Sequence, residues 1–246
     1  MKNSTKNYFS KPSVKPSIQC LIVPVTRLQQ NCTLIGCLKT NECAVIDPGG
    51  DVENILRAAQ QYNLEIKKIW ITHGHFDHCG GAQTLKEETG AIIEGPHKAD
   101  EKKIKHNILR HAYLYNLPDL TPFKPDRWLE DGDTVTVGET TWQVLHCPGH
   151  TPGHVVFYNK ANNFAAIGDI LKENSTVRSF ATDSNTKELV RSITQKLWPL
   201  GNVEYVAGYG NPSNFFHARQ RNIRVNDKRL GYGDEKAKSL EEPSPA

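Results

Sequence analysis

The sequence has no two cysteines at CxxC spacing and no apolar run near the ~18 residues of a membrane span. It lacks the helical HExxH pattern, which excludes a thermolysin-like zinc site. No apolar secretory segment follows Met1, so a reducing, cytoplasmic compartment is expected, with the six cysteines as buried small hydrophobes. An excess of charge on the folded body is also missing. Of 30 basic and 27 acidic residues, four Lys and no acid fall in 1–17, and four basic and five acidic residues fall in 226–246. That leaves 22 of each sign between 18 and 225. A neutral body argues against a nucleic-acid surface, which needs clustered Lys and Arg. The Lys/Ser-rich stretch 1–17 is expected as a disordered leader, a composition that also suits organelle targeting, and 226–246 as a disordered tail.

What remains, 18–225, alternates strand-like and helix-like segments. Ile18–Val25, Thr33–Cys37 and Cys43–Ile46 read as short strands, followed by the turn Asp47-Pro48-Gly49-Gly50. Asp51 is placed to cap a helix whose apolar positions Val52, Ile55, Leu56 and Ala59 share one face. Ile66–Thr72 reads as a buried strand. Gly80-Gly81 then turns the chain into a helix over Ala82–Glu88. A helix is expected over 98–115. Five more strands follow at Thr134–Val137, Thr141–His146, His154–Tyr158, Phe164–Ile167 and Val203–Gly208, with a helix over Lys187–Leu197. Two strand-rich halves, each with helices, predict an α/β sandwich.

Three segments carry the chemistry. Thr72-His73-Gly74-His75-Phe76-Asp77-His78 puts three imidazoles and a carboxylate straight after an apolar strand. Such groups repel when charged and cost free energy when buried alone, so a metal ion is the expected compensation. His73 and His75, two apart on extended chain, point the same way. Imidazole and carboxylate together suit zinc, iron or manganese. His146-Cys147-Pro148-Gly149-His150-Thr151-Pro152-Gly153-His154 follows a second strand, and Gly168-Asp169 ends a third. A lone loop His or a Gly-Asp pair is usually structural; three such features at three strand ends are not.

On QNCTLIGC, AVIDPGG, THGHFDHCGG, DRWLEDGD, HCPGHTPGHVVF and the Gly-Asp pair, the sequence resembles the metallo-β-lactamase superfamily, in particular the short glyoxalase II-like hydroxyacylglutathione hydrolases. The resemblance spans nearly all of 18–225 and implies a four-layer αββα sandwich with a metal pair at one edge. It implies His73, His75 and His150 on one metal, Asp77 and His78 on the other, and Asp169 between them. His146 and His154 would support the ligands. Two zinc ions are the family's usual content. The implied reaction is hydrolysis of a thioester such as S-D-lactoylglutathione by a hydroxide shared between the metals, with Asp77 orienting it.

Two positions depart from the pattern. The family's last ligand is a His in a GHG motif, and here the segment is Gly208-Tyr209-Gly210. A phenol of pKa about 10 ligates zinc less well than imidazole; His217 is spaced wrongly to replace it. The loop after Asp169 keeps Arg178, a candidate for a glutathione carboxylate, but has Phe180 where the family has an acid. The departures bring in two other readings. His73, His150 and Asp169 form a two-histidine, one-carboxylate set, the mononuclear iron arrangement of the superfamily's persulfide dioxygenases. A weakly active or non-catalytic metal-binding relative is the third reading.

Overall fold

The computed structural model describes residues 6–7, 17–115, 120–171 and 184–221. Two mixed six-stranded sheets face each other. The first runs β1 (Lys6–Asn7), β2 (Ile18–Val25), β3 (Gln30–Cys37), β4 (Glu42–Ile46), β5 (Glu65–Trp70) and β6 (Ile92–Glu94) in spatial order. The second runs from β7 (Thr134–Val137) through β8 (Thr140–His146), β9 (Val155–Asn159), β10 (Phe164–Ala166) and β11 (Glu204–Val206) to β12 (Ser213–Asn214).

The layering follows from strand alternation. Along β2, Ile18, Cys20 and Ile22 face the second sheet and join a core with Val135, Trp142, Phe157 and Val206. Leu21, Val23 and Val25, on the other face, pack under α1 (Val52–Gln61), α3 (Ala82–Thr89) and α4 (Glu101–Tyr115). The second sheet turns Leu145, Val156 and Ala165 outward onto α5 (Thr186–Ser192) and α6 (Phe215–Arg221). The result is helix, sheet, sheet, helix: the αββα sandwich expected from the sequence. Trp70 holds its middle, stacked on Phe157 at 5.2 Å and edge-on to Trp142 at 5.6 Å.

Several local expectations change. Asp51 stands before α1 with φ 48° and makes no capping hydrogen bond; its Oδ2 accepts from Thr26 N at 2.8 Å instead, tying the helix start to the β2–β3 turn. Gly80 is helical, with φ −63°, so it supplies no unusual turn. It is needed for space, because a Cβ there would stand 2.4 Å from Leu120 and 2.6 Å from Phe76 O. The 98–115 helix opens with a tight 3-10 turn, Lys98–Asp100, and the 187–197 helix widens into a π turn over Ile193–Leu197. Thr194 Oγ1 in that turn bonds Val190 O at 2.9 Å. The leader contributes β1, antiparallel to β2 at Ile22 and Leu21, and its other residues before 17 lie outside the described ones, as does the tail. Among the described residues no helix is long and apolar enough to cross a membrane.

Candidate metal centre

Four strand ends converge on one edge of the sandwich. β5 delivers His73 and His75, and the single turn α2 (Phe76–Cys79) adds Asp77 and His78. The β8–β9 loop brings His150, the segment after β10 brings Asp169, and the one after β11 brings Tyr209. Contacts between the sheets fix this edge: Val155 N donates to Thr72 O at 2.8 Å, and Asn31 N to Gly208 O at 2.8 Å. The Asn31 amide also clamps Ala207 O and Gly210 O, at 3.0 and 2.8 Å.

Two donor groups result. In the first, His75 Nδ1 lies 2.9 Å from His73 Nε2 and 3.1 Å from His150 Nε2. Ligand atoms on a zinc tetrahedron stand about 3.3 Å apart, given bonds of about 2.0–2.1 Å, so the three nitrogens have ligand-set spacing. In the second, His78 Nε2 lies 3.4 Å from Asp169 Oδ1 and 3.8 Å from Asp77 Oδ2. The other Asp169 oxygen, Oδ2, is 3.7 Å from His150 Nε2. One carboxylate therefore faces both groups. His78 Nε2 is fully buried and makes no hydrogen bond. A buried donor or acceptor left unmade costs about 1–3 kcal/mol, so an orphan aimed between two carboxylates fits a cation there.

The outer nitrogens are already committed. His73 Nδ1 meets Thr72 Oγ1 at 2.9 Å, and that hydroxyl donates to Asp47 Oδ2 at 2.6 Å. His78 Nδ1 reaches the same Asp47 oxygen at 2.9 Å. Since Asp47 only accepts, His78 carries its proton on Nδ1 and Thr72 receives one from His73 Nδ1. Both Nε2 atoms are then left facing the centre. Asp47, His73 and His78 also lie close enough to be read as a separate ligand group. Their facing atoms are spent on each other and on Thr72, so these contacts orient the Nε2 atoms of His73 and His78 and form no third donor group. His154 Nε2 accepts from Asp169 N at 3.1 Å, which fixes the bridging residue's backbone. His146 stacks on His97 at 4.1 Å and bonds Pro152 O at 2.9 Å, bracing the loop of His150 away from the donor atoms.

The electrostatics divide the histidines. Burial, then the neighbouring imidazoles, holds His73 and His154 well below the usual imidazole range, and His75 falls to about 3. Burial works against charge on His78 too. There Asp169, Asp47 and Asp77 outweigh it and raise its pKa well above the usual range. Tyr209 donates its hydroxyl to Asp77 Oδ2, and burial, then the Asp77 charge, pushes the phenol up.

The structure thus brings together His73, His75, Asp77, His78, His150, Asp169 and Tyr209. Arg178 lies outside the described residues. His217 sits at the start of α6 against Phe216, apart from the donor groups. Sequence reasoning missed Asp47, Asn31 and Thr72 as partners of these residues. Asp47 and Asn31 stood inside quoted motifs, AVIDPGG and QNCTLIGC, but nothing local marked them as partners of residues up to 179 positions away.

Residues 25–208 match the family model described as Metallo-beta-lactamase superfamily. The chain is 34% identical over 209 residues to the hydroxyacylglutathione hydrolase GloC of Haemophilus influenzae, covering 84% of this chain and 98% of that one. Among solved structures it is similar to the BLEG-1 B3 metallo-beta-lactamase, with TM-score 0.75 and 26% identity over 84% of this chain and 99% of the other. It is also similar to TTHA1623 in a di-iron-bound form, with TM-score 0.72 and 30% identity over 82% and 98%.

Proposed function

The chain belongs to the metallo-beta-lactamase superfamily, and on that premise we propose that it is a metal-dependent hydrolase of a glutathione thioester such as S-D-lactoylglutathione. The observation that carries this reading is the pairing of a three-imidazole group with a His78–Asp77–Asp169 group across a single carboxylate. The named activity of the Haemophilus relative, aligned over 98% of its length, supports the substrate class.

His73, His75 and His150 would hold one divalent ion, and Asp77 and His78 a second, with Asp169 serving both. Zinc is the family's usual ion, and the di-iron form of TTHA1623 makes iron an equal candidate. Bound there, a divalent ion supplies Lewis-acid polarisation of a carbonyl and lowers the pKa of water towards ~7. The protein's own contribution is orientation. Asp47 and Thr72 fix two imidazole tautomers. Asp77, which accepts from the Tyr209 hydroxyl at one oxygen, would orient the attacking hydroxide. The leaving group is a thiolate with pKa about 8.5, which departs without an acid and explains why no further acid is needed.

The test is hydrolysis of S-D-lactoylglutathione by the full chain loaded in turn with zinc, iron and manganese. Turnover lost on chelation and in His75→Ala supports the reading; turnover indifferent to both overturns it. One observation favours a second reading: the Tyr209 bond engages the carboxylate of the second group. His73, His150 and Asp169 would then act alone as a mononuclear iron site. Oxygen consumption with glutathione persulfide by the iron-loaded chain, without thioesterase activity, is the result that would put this reading first.

A further inference from the structure

Asp100 makes no contact with the metal-facing atoms, yet it holds both loops that build the three-imidazole group. It is the last residue of the 3-10 turn ahead of α4 and is fully buried. Its Oδ2 accepts from Gly74 N at 2.8 Å and from Thr151 Oγ1 at 2.7 Å, and its Oδ1 accepts from Gly153 N at 2.7 Å. Gly74 is the link between His73 and His75, and Thr151 is the residue after His150. The first loop leaves the first sheet and the second leaves the second, so one carboxylate ties the sandwich together where the imidazoles meet.

The fit leaves little slack. A Cβ at Gly153 would stand 2.7 Å from Asp100 Cγ, and one at Gly74 would stand 3.3 Å from Asp100 Cβ. The residues of the other donor group are oriented elsewhere: His78 by Asp47, Asp169 by His154 and Asp77 by Tyr209.

We infer that Asp100 is a positioning residue that sets the distance of His150 from His73 and His75, and so the affinity of the three-imidazole group for its ion. The inference rests on the metal reading above. Its chemistry requires a carboxylate. All three partners donate, and an amide at 100 would keep one acceptor oxygen and turn an N–H toward a donor. Facing Gly153 with that N–H loses one bond; facing Gly74 and Thr151 disturbs two. Residues that hold metal ligands in place typically change metal affinity by about 10–100-fold when altered.

The experiment is cobalt(II) binding to the full chain, by competition with a chromophoric chelator and by the d–d absorption of the bound ion. His75→Ala identifies the event that belongs to the three-imidazole group. Asp100→Asn is expected to weaken that event by about tenfold or more and to alter its absorption. Thr151→Val is expected to weaken it less, and Thr151→Ser, which restores the hydroxyl, to return it to the wild-type value. Val135→Ala, a truncation in the core between the sheets, lowers the thermal midpoint and should leave cobalt affinity unchanged. If Asp100→Asn does not yield folded protein, Thr151→Val against Thr151→Ser carries the same comparison. The inference is overturned if Asp100→Asn, or failing that Thr151→Val, binds cobalt like the wild type, or if Val135→Ala weakens binding as much. A wild-type chain that binds no cobalt overturns the metal reading itself and this inference with it, a result none of the variants can mimic.

Discussion

Tyr209 donates its hydroxyl to Asp77 Oδ2, so the residue standing where the family has its last histidine touches the second donor group through a carboxylate and not through open space. The phenol is held protonated by burial and by the Asp77 charge. A protonated phenol is a weak ligand, and the carboxylate oxygen it engages is less available to a cation. The two halves of the centre are therefore unequal. In the first group, burial and neighbouring imidazoles oppose protonation of His73 and His75, whereas the second holds a proton favoured on His78 and the Tyr209 hydrogen bond to Asp77, both of which an ion must displace.

The full chain purified without added metal should then carry about one ion, as measured by elemental analysis, because tetrahedral sites need ligands that are free to bind. Tyr209→His should raise the content towards two. Finding two ions in the wild type, with no change in the variant, would mean that Tyr209 completes the second site instead of weakening it.

The metal-free protein should lose stability as pH falls below about 6.5. His73, His75 and His154 have folded pKa values below the ordinary 6.5, His75 at about 3. Between those limits the unfolded chain binds protons that the folded chain refuses, so acid favours unfolding. His78 has the opposite sign. Its raised pKa stabilises fully below 6.5 and fades as pH rises through its folded value, so it adds no slope in the acid window. Thermal midpoints of chelator-treated protein between pH 7 and 5 should fall by several degrees, at about 2–4 °C per kcal/mol. His75→Asn should flatten that fall; an unchanged slope would refute the assignment.

Gly208→Ala tests the narrowest point of the second group. A Cβ there would stand 2.3 Å from Asp169 Oδ1 and 2.4 Å from His78 Cε1, so the bridging carboxylate must shift. A displacement near 1 Å at reacting groups costs about 10²-fold in rate. Thioesterase activity should drop by that order while circular dichroism stays unchanged. Retained activity would show that the carboxylate is not needed at its observed position.

Most of the fold was legible because strand alternation and helical spacing are local. Thr134–Val137 and Ile18–Val25 formed as expected. That the donor-rich segments would meet was legible for a related reason: reactive residues crowded after an apolar strand have few bland explanations. What escaped was short or distant. β6 and β12, of three and two residues, are too brief to show a period. α2 is one turn, formed around the donor residues themselves. Asp100 and Asp47 look like ordinary turn acids in sequence, and only folding brings Gly153 and His78 to them.

Asp47→Asn should separate the roles of the two buried acids. Asp47 accepts from Thr72 N at 2.7 Å, from Thr72 Oγ1 and from His78 Nδ1. An amide cannot accept all three, and turning its N–H toward His78 would favour the tautomer with the proton on Nε2. That proton occupies the atom the second ion needs. The second binding event, measured on the Tyr209→His background where it is strongest, should therefore weaken by about 10–100-fold, with a smaller effect on the first through Thr72 and His73. Asp100→Asn should give the reverse order. Equal losses at both events in both variants would mean that the two acids only hold the edge of the sandwich together, and that neither selects a site.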